Sequence, residues 1–247
     1  MKITVVSLFP EMIRSAAGYS IVKRGMEAGL FSLETIDPRS FTNDRHRTVD
    51  DTPFGGGAGM VLKPEPYCQA IRTAKAASPG AATVLLCPTG TPFTQSAAAR
   101  YAHKDGLILV CGHYEGFDER IRSEADESIS LGDYVLTGGE LPALVVIDAV
   151  TRLLPGVVGH QESVEDESFL NGLLEYPQYT RPIDFEGAEV PEALRTGDHA
   201  KIARWRRKES LRRTWRSRPE LLKTAHLQPE DGVLLLELLM EEEKNNG

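Results

Sequence analysis

The chain has 247 residues, little cysteine and no long apolar run. Cys68, Cys87 and Cys111 are odd in number and widely spaced, with neither a CxxC pair nor a histidine at ligand spacing. A disulfide framework and a zinc site are disfavoured, and these thiols are expected to behave as small buried or half-buried hydrophobes. The longest apolar stretches fall well short of the roughly 20 residues a membrane span needs, and no charged leader precedes an apolar segment. A cytoplasmic protein without membrane association is expected. Two phosphate-binding signatures are also missing. There is no GxxxxGK[ST], and the glycines of residues 54–60, FGGGAGM, do not fit GxGxxG after a strand. Neither a P-loop nucleotidase nor a typical dinucleotide enzyme is supported. No internal repeat is visible.

What is present is enough for a real core, since 41% of the chain is hydrophobic and 26% charged. The net charge of −8 argues against a nucleic-acid partner only if charge is spread evenly. It is not. Residues 201–218, KIARWRRKESLRRTWRSR, hold nine Lys or Arg and one Glu. They read as a helix, with Asp198 as a candidate cap and Ile202, Trp205, Leu211 and Trp215 contributing to an apolar stripe. The remaining faces are then dense in guanidinium groups, which grip phosphate through their planar fork. A solvated face beside an acidic domain is the competing reading.

The first 150 or so residues alternate β-rich runs, at 2–9, 31–37, 82–87 and 106–112, with helical patterns. Among these helices are 64–77, opened by Pro64 and Pro66, and 94–103, capped by Thr94. This alternation predicts an α/β fold around a mainly parallel sheet. After an apolar helix at 141–154 the character changes. Residues 156–190 are rich in Gly, Glu, Pro and Tyr without a sustained period, and a domain boundary is expected near residue 160. A closing helix, 229–244, is expected to lay its Leu face on the basic helix.

Three glycine-bearing loops follow strands: LCPTG (86–90), CGHYEG (111–116) and LGDYVLTGGELP (131–142). Glycine at a strand's C-terminal end permits positive φ or close approach to a ligand, and α/β sheets bind ligands at that edge. Together the three loops point to one shared crevice, although each alone also reads as a tight turn.

These loops belong to a longer series: HRTVDDTPFGGGAGM (46–60), CGHYEGFDERI (111–121), SLGDYVLTGGELPAL (130–144), TRLLPGVVG (151–159) and LLEYPQYTRP (173–182). In order and spacing the series resembles the bacterial tRNA (guanine-N1)-methyltransferases over nearly the whole chain. The resemblance implies a SPOUT-type parallel-sheet domain with a deep trefoil knot at 1–160. A linker at 161–175 and a small all-helical tRNA-binding domain at 176–247 then follow, in a homodimer. It implies that S-adenosylmethionine is held by Leu86, Cys87, Pro88, Thr89 and Gly90, by Gly112, Tyr114, Glu115 and Gly116, by Leu131, Gly132, Asp133, Tyr134, Val135 and Leu136, and by Gly138, Gly139 and Pro142. The first loop has CPTG, residues 87–90, where the family often shows a serine and a glutamine.

The implied reaction is methylation of N1 of guanosine 37 of tRNA, beside the anticodon. N1 carries a proton, so a base and a stabiliser of the charge developing on O6 are required. The family's arginine maps onto Arg152. Its aspartate, which precedes a Ser-Phe pair, maps onto Glu167, with Asp166 as the neighbouring candidate. His46, Asp50 and Asp51 supply polar groups to the wall of the guanosine pocket, where the family's tyrosine is Phe54. Family members use Mg2+, for which no residue spacing specifies a site. A related knotted methyltransferase acting on another RNA position, or a catalytically silent RNA-binding protein, is the alternative; intact loops at all three positions weigh against silence.

Overall fold

The computed structural model describes residues 1–159 and 168–245, and the chain divides into two compact units, Met1–Gln161 and Glu162–Gly247. The strands of the first unit are β1 (Lys2–Val6), β2 (Ser32–Ile36), β3 (Asp50–Asp51), β4 (Val61–Leu62), β5 (Ala82–Pro92), β6 (Gly106–Cys111) and β7 (Glu127–Ser130). Strands β3 and β4 form a short antiparallel ladder. The other five make one parallel sheet in the order β2-β1-β6-β5-β7. The helices are α1 (Pro10–Ala17), α2 (Ser20–Glu27), α3 (Pro64–Ala77), α4 (Gln95–Ala102), α5 (Glu119–Arg122) and α6 (Glu140–Thr151). This is the α/β architecture expected.

The sheet is covered on both faces, so its central strand is apolar throughout rather than alternating. In β6, GLILVC, every residue is buried. Leu107, Leu109 and Cys111 join a core with Ile3, Val5 and Val84 from neighbouring strands and Ile13, Tyr101, Val146 and Val150 from α1, α4 and α6. Ile108 and Val110 project to the opposite face, where Tyr67, Ala70, Ile71 and Ala74 of α3 and Ile121 of α5 cover them. Strand periodicity therefore sorts one short segment into two cores.

Local chemistry sets several boundaries. Pro10 enters α1 at its first position, which ends the first strand at Val6 rather than at residue 9. The Thr94 hydroxyl accepts from Ala97 N and caps α4. Helix α6 stops at Thr151, three residues short of the expected end, with Arg152 as its C-cap. Strand β7 was not among the expected strands, because ESIS is short and three of its four residues are polar.

The second unit contains a hairpin of β8 (Asp184–Phe185) and β9 (Ala188–Glu189), then α7 (Glu192–Arg195), α8 (His199–Ser217) and α9 (Pro229–Asn245). The Asp198 carboxylate accepts from Ala200 N and Lys201 N, so the cap of the basic helix is as expected. The core is small: Leu173, Leu211, Leu234 and Leu238, with Trp215 and Leu222 packed against it. Leu173 falls within the stretch expected as linker, yet it is 4% exposed and part of this core.

The basic face differs from the expected open guanidinium surface. Arg207 pairs with Asp231 at 2.6 Å, Lys208 with Glu237 at 2.9 Å and Glu241 at 2.7 Å, Arg212 with Glu241 at 2.6 Å and Arg216 with Glu242 at 2.7 Å. Arg204 also pairs with Glu237. The acidic residues of α9 thus neutralise much of α8. Among the described residues, Arg206 and Arg213 are the cations of α8 that reach no carboxylate. Arg206 lies 4.8 Å over the Tyr176 ring, and Arg213 donates to the Glu175 carbonyl at 3.1 Å. Among the described residues, no helix is long and apolar enough to cross a membrane.

Candidate active site

Three adjacent strands, β6, β5 and β7, end at one edge of the sheet, and the segments there enclose a cavity of about 340 Å3. The first segment is a bulge rather than the turn expected after residue 87. Leu86 and Thr91 both register against Ile129, so residues 87–90 leave the ladder and the strand then resumes. Gly90 allows this, because a Cβ there would collide with the backbone of Ile129. The second and third segments touch backbone to backbone: Gly139 N donates to Gly112 O at 2.8 Å. A Cβ on Gly139 would stand 2.6 Å from Cys111 Cα, and one on Gly138 would stand 2.7 Å from His113 Nδ1. Glycine is required here by close approach rather than by positive φ.

All of the residues expected to hold the cofactor line this cavity except Gly90 and Asp133. Gly90 sits against β7, and Asp133 is exposed beside the opening segment of the third loop. His113, Phe117, Arg122, Ile129, Ser130 and Thr137 also line it and were not singled out. His113, Phe117, Ser130 and Thr137 lie inside the motif series, and Ile129 belongs to the short strand β7. Arg122 carries no local signal; it reaches the wall from α5. Among the described residues, His113 Nδ1 is buried without a hydrogen-bond partner. Tyr114, at φ +57°, holds a left-handed conformation that an ordinary L-residue adopts only at a cost.

The glycine-rich segment 54–60 is docked on the second loop. Glu115 N donates to Met60 O at 3.0 Å, Leu62 N to Gly116 O at 2.9 Å, and a Cβ on Gly59 would strike the Glu115 side chain. Phe54 is fully exposed beside three consecutive glycines at positive φ.

Comparison with known proteins matches residues 1–224 to the family described as tRNA (Guanine-1)-methyltransferase TrmD. A protein of Methylococcus capsulatus named tRNA (guanine-N(1)-)-methyltransferase is 55% identical across 100% of both chains. Proteins of the same name from Dehalococcoides mccartyi, 54% identical over 98% of each chain, and Geobacillus kaustophilus, 54% identical over 90% of this chain and 91% of its own, agree. The chain belongs to the tRNA (guanine-1)-methyltransferase family. The family is of the SPOUT type, and the five-stranded parallel sheet accords with that membership.

In this tRNA (guanine-1)-methyltransferase family member, Arg152 is half-buried, its N–H donating to Asp148 O at 3.2 Å. It is not among the residues lining the cavity. Glu167 and Asp166 lie outside the described residues. At the base of the third loop, Glu140 is 4% exposed and its carboxylate accepts from the Ser7 hydroxyl at 2.6 Å. Among the described residues, no group of three or more His, Cys, Asp or Glu could hold a metal ion.

Proposed function

We propose that this chain methylates N1 of guanosine 37 of tRNA with S-adenosylmethionine as donor, acting in the cytoplasm as a homodimer whose cofactor segments form the family's trefoil knot. The observation that carries the reading is the three-segment cavity, with Gly90 seating the first segment on β7 and Gly138 and Gly139 on its wall, in a chain that belongs to this family. Its donor set suits the cofactor. Leu86, Leu131 and Leu136 offer apolar walls to a purine face, loop backbone offers donors and acceptors to its edge, and His113 Nδ1 is a buried polar atom with no hydrogen-bond partner among the described residues. When bound, S-adenosylmethionine supplies an electrophilic methyl group.

The remaining tasks fall to the chain. Glu167 accepts the N1 proton, and Arg152 places positive charge where the guanine O6 becomes anionic. Segment 46–60 walls the pocket for a guanosine turned out of its stack, with His46, Asp50 and Asp51 as its polar groups. The domain at 176–247 holds the tRNA, with Arg206 and Arg213 as the cations of α8 left for phosphate. The described residues offer no donor set for Mg2+, and no step is assigned to it.

The test uses an unmodified tRNA transcript with guanosine at positions 36 and 37. Incubation with S-adenosylmethionine and nucleoside mapping by mass spectrometry should place one methyl group on N1 of residue 37. A methyl group on ribose or on another ring nitrogen, or none at all, overturns the proposal.

A further inference from the structure

The bulge 87–90 presents a mechanical problem. It has left the β5–β7 ladder, and the β5–β6 register ends at Leu86 with Cys111, so no strand neighbour holds its shape. Pro88 has no N–H to contribute. Gly90 anchors one end against Ile129, and the Thr91 hydroxyl donates to Ser128 O at 3.3 Å just beyond it. Among the described residues, the side chains of Cys87 and Thr89, both on the cavity wall, share one further partner.

That partner is Arg122, the last residue of α5. Its Nη2 donates to Cys87 Sγ at 3.3 Å and to Thr89 Oγ1 at 3.0 Å, and its Nη1 donates to Ser128 Oγ at 3.3 Å. Nε donates to Glu119 at 2.9 Å, which orients the group, and the Arg122 side chain is only 29% exposed. A planar fork with fixed donor directions can span two residues of a loop and the strand beside it; an ammonium cannot do so in one geometry. Because the Thr89 oxygen accepts from Arg122, its hydrogen is free to point at Cys87 Sγ, 3.2 Å away. The sulfur thus sits between two donors.

We infer that Arg122 is the positioning residue of the first cofactor segment, holding Cys87 to Thr89 in the shape that receives S-adenosylmethionine. The inference rests on the cofactor reading of the cavity given above. A ligand-independent mark accompanies it. Burial opposes ionisation of the Cys87 thiol, but the hydrogen bonds from Thr89 and Arg122 outweigh burial and hold it below its ordinary range. Cys68, by contrast, is pushed up by burial.

The experiment compares the wild-type chain with Arg122→Met, Arg122→Lys and Thr89→Val. Alkylation of each cysteine by iodoacetamide is followed against pH by peptide mass spectrometry, and S-adenosylmethionine binding by calorimetry. In Arg122→Met the Cys87 profile should move to higher pH and the Kd should rise about tenfold or more, the scale of a lost charge-assisted hydrogen bond. Arg122→Lys should restore the thiol profile better than the affinity, since charge survives and the fork does not. Thr89→Val, which keeps side-chain volume, should shift both in the same direction by less, and serves if the Arg122 variants fail to fold. A shifted thiol profile with wild-type affinity overturns the positioning role, as does no change in either. Failure of the wild-type chain to bind S-adenosylmethionine overturns the cofactor reading and this role with it, whatever Cys87 does.

Discussion

Arg207 grips Asp231 side-on, with Nε on Oδ1 at 2.8 Å and Nη2 on Oδ2 at 2.6 Å, and the Asp231 side chain is 1% exposed. The same carboxylate accepts from Gln228 N at 2.7 Å and so caps the start of α9. One arginine of the most basic stretch in the chain is therefore a structural tie between α8 and α9, not a free cation. Sequence counting cannot separate the two uses.

Removing the guanidinium leaves a buried carboxylate uncompensated. Arg207→Met is expected to destabilise the C-terminal unit by about 3–5 kcal/mol, measured by urea denaturation. Burial alone would raise the Asp231 pKa, but Arg207 and Gln228 N–H outweigh it and depress the folded value. The pair's contribution is then fully present above the unfolded aspartate value of about 3.9 and is lost as pH falls through the folded value. The gap between wild type and variant should be level at neutral pH and close only in acid. A gap unchanged down to strong acid would show that packing, not charge, is lost.

Contact with tRNA should depend on the two cations of α8 that lack a carboxylate among the described residues. Arg206→Ala with Arg213→Ala is expected to weaken tRNA binding and to lower the salt slope of log Kd by about one per phosphate contact removed, with S-adenosylmethionine affinity unchanged. Charge reversal at Glu242, the partner of Arg216 at 2.7 Å, should change tRNA affinity much less. Filter binding from low to moderate salt decides it. An unchanged slope in the double variant removes this face from the interface.

The parts legible in the sequence are those governed by local rules. The α/β alternation, the Pro-led α3, the Thr94 and Asp198 caps and the three glycine loops are all written in contiguous residues. The rest is set through space. Strand β7 exists because β5 offers it a ladder, and ESIS alone lacks β character. Arg122 reaches Cys87 and Thr89 across more than thirty positions of sequence. The acidic residues of α9 were read as part of a Leu-faced helix, and their pairing with α8 needed the two helices side by side. Gly138 and Gly139 are legible as members of a ligand-binding loop, but not what crowds them: Gly138 leaves room for the His113 and Glu140 side chains, and Gly139 for the backbone of Cys111 and Gly112.

That room gives a sharp prediction. Gly139 has an ordinary helical φ of −81°, so alanine there meets no backbone penalty of its own, yet its methyl group would stand 2.6 Å from Cys111 Cα. Relief requires the second and third segments to part. Gly139→Ala is expected to cost about 1–3 kcal/mol of stability and to weaken S-adenosylmethionine binding by tenfold or more. Gly29→Ala is a control for adding a methyl group where space is open but φ is +70°. It should lower stability while leaving cofactor affinity alone. Calorimetric binding beside thermal melts separates the two; equal effects on affinity would mean that the cavity responds to global stability only.

The last prediction concerns the base. Two carboxylates, Asp166 and Glu167, adjoin the Ser168-Phe169 pair, and a proton acceptor must come within hydrogen-bond reach of guanine N1. Glu167 is the proposed acceptor, and its extra methylene relative to the family's aspartate changes its reach but not its chemistry. Glu167→Gln keeps size and hydrogen bonding and removes the basic oxygen. Turnover should fall by about 10²–10⁴-fold, the usual worth of a positioned base, with S-adenosylmethionine affinity unchanged. Asp166→Asn should stay within a few-fold of wild type. The rate profile supplies a second mark: a carboxylate that must be ionised gives the wild-type enzyme an acidic limb, and Glu167→Gln should flatten it. Glu167→Asp, which restores the family's residue, should retain most activity if the segment can shift to carry the shorter side chain. A dead Asp166→Asn beside an active Glu167→Gln would transfer the role to Asp166; two active variants would remove the carboxylate from the mechanism.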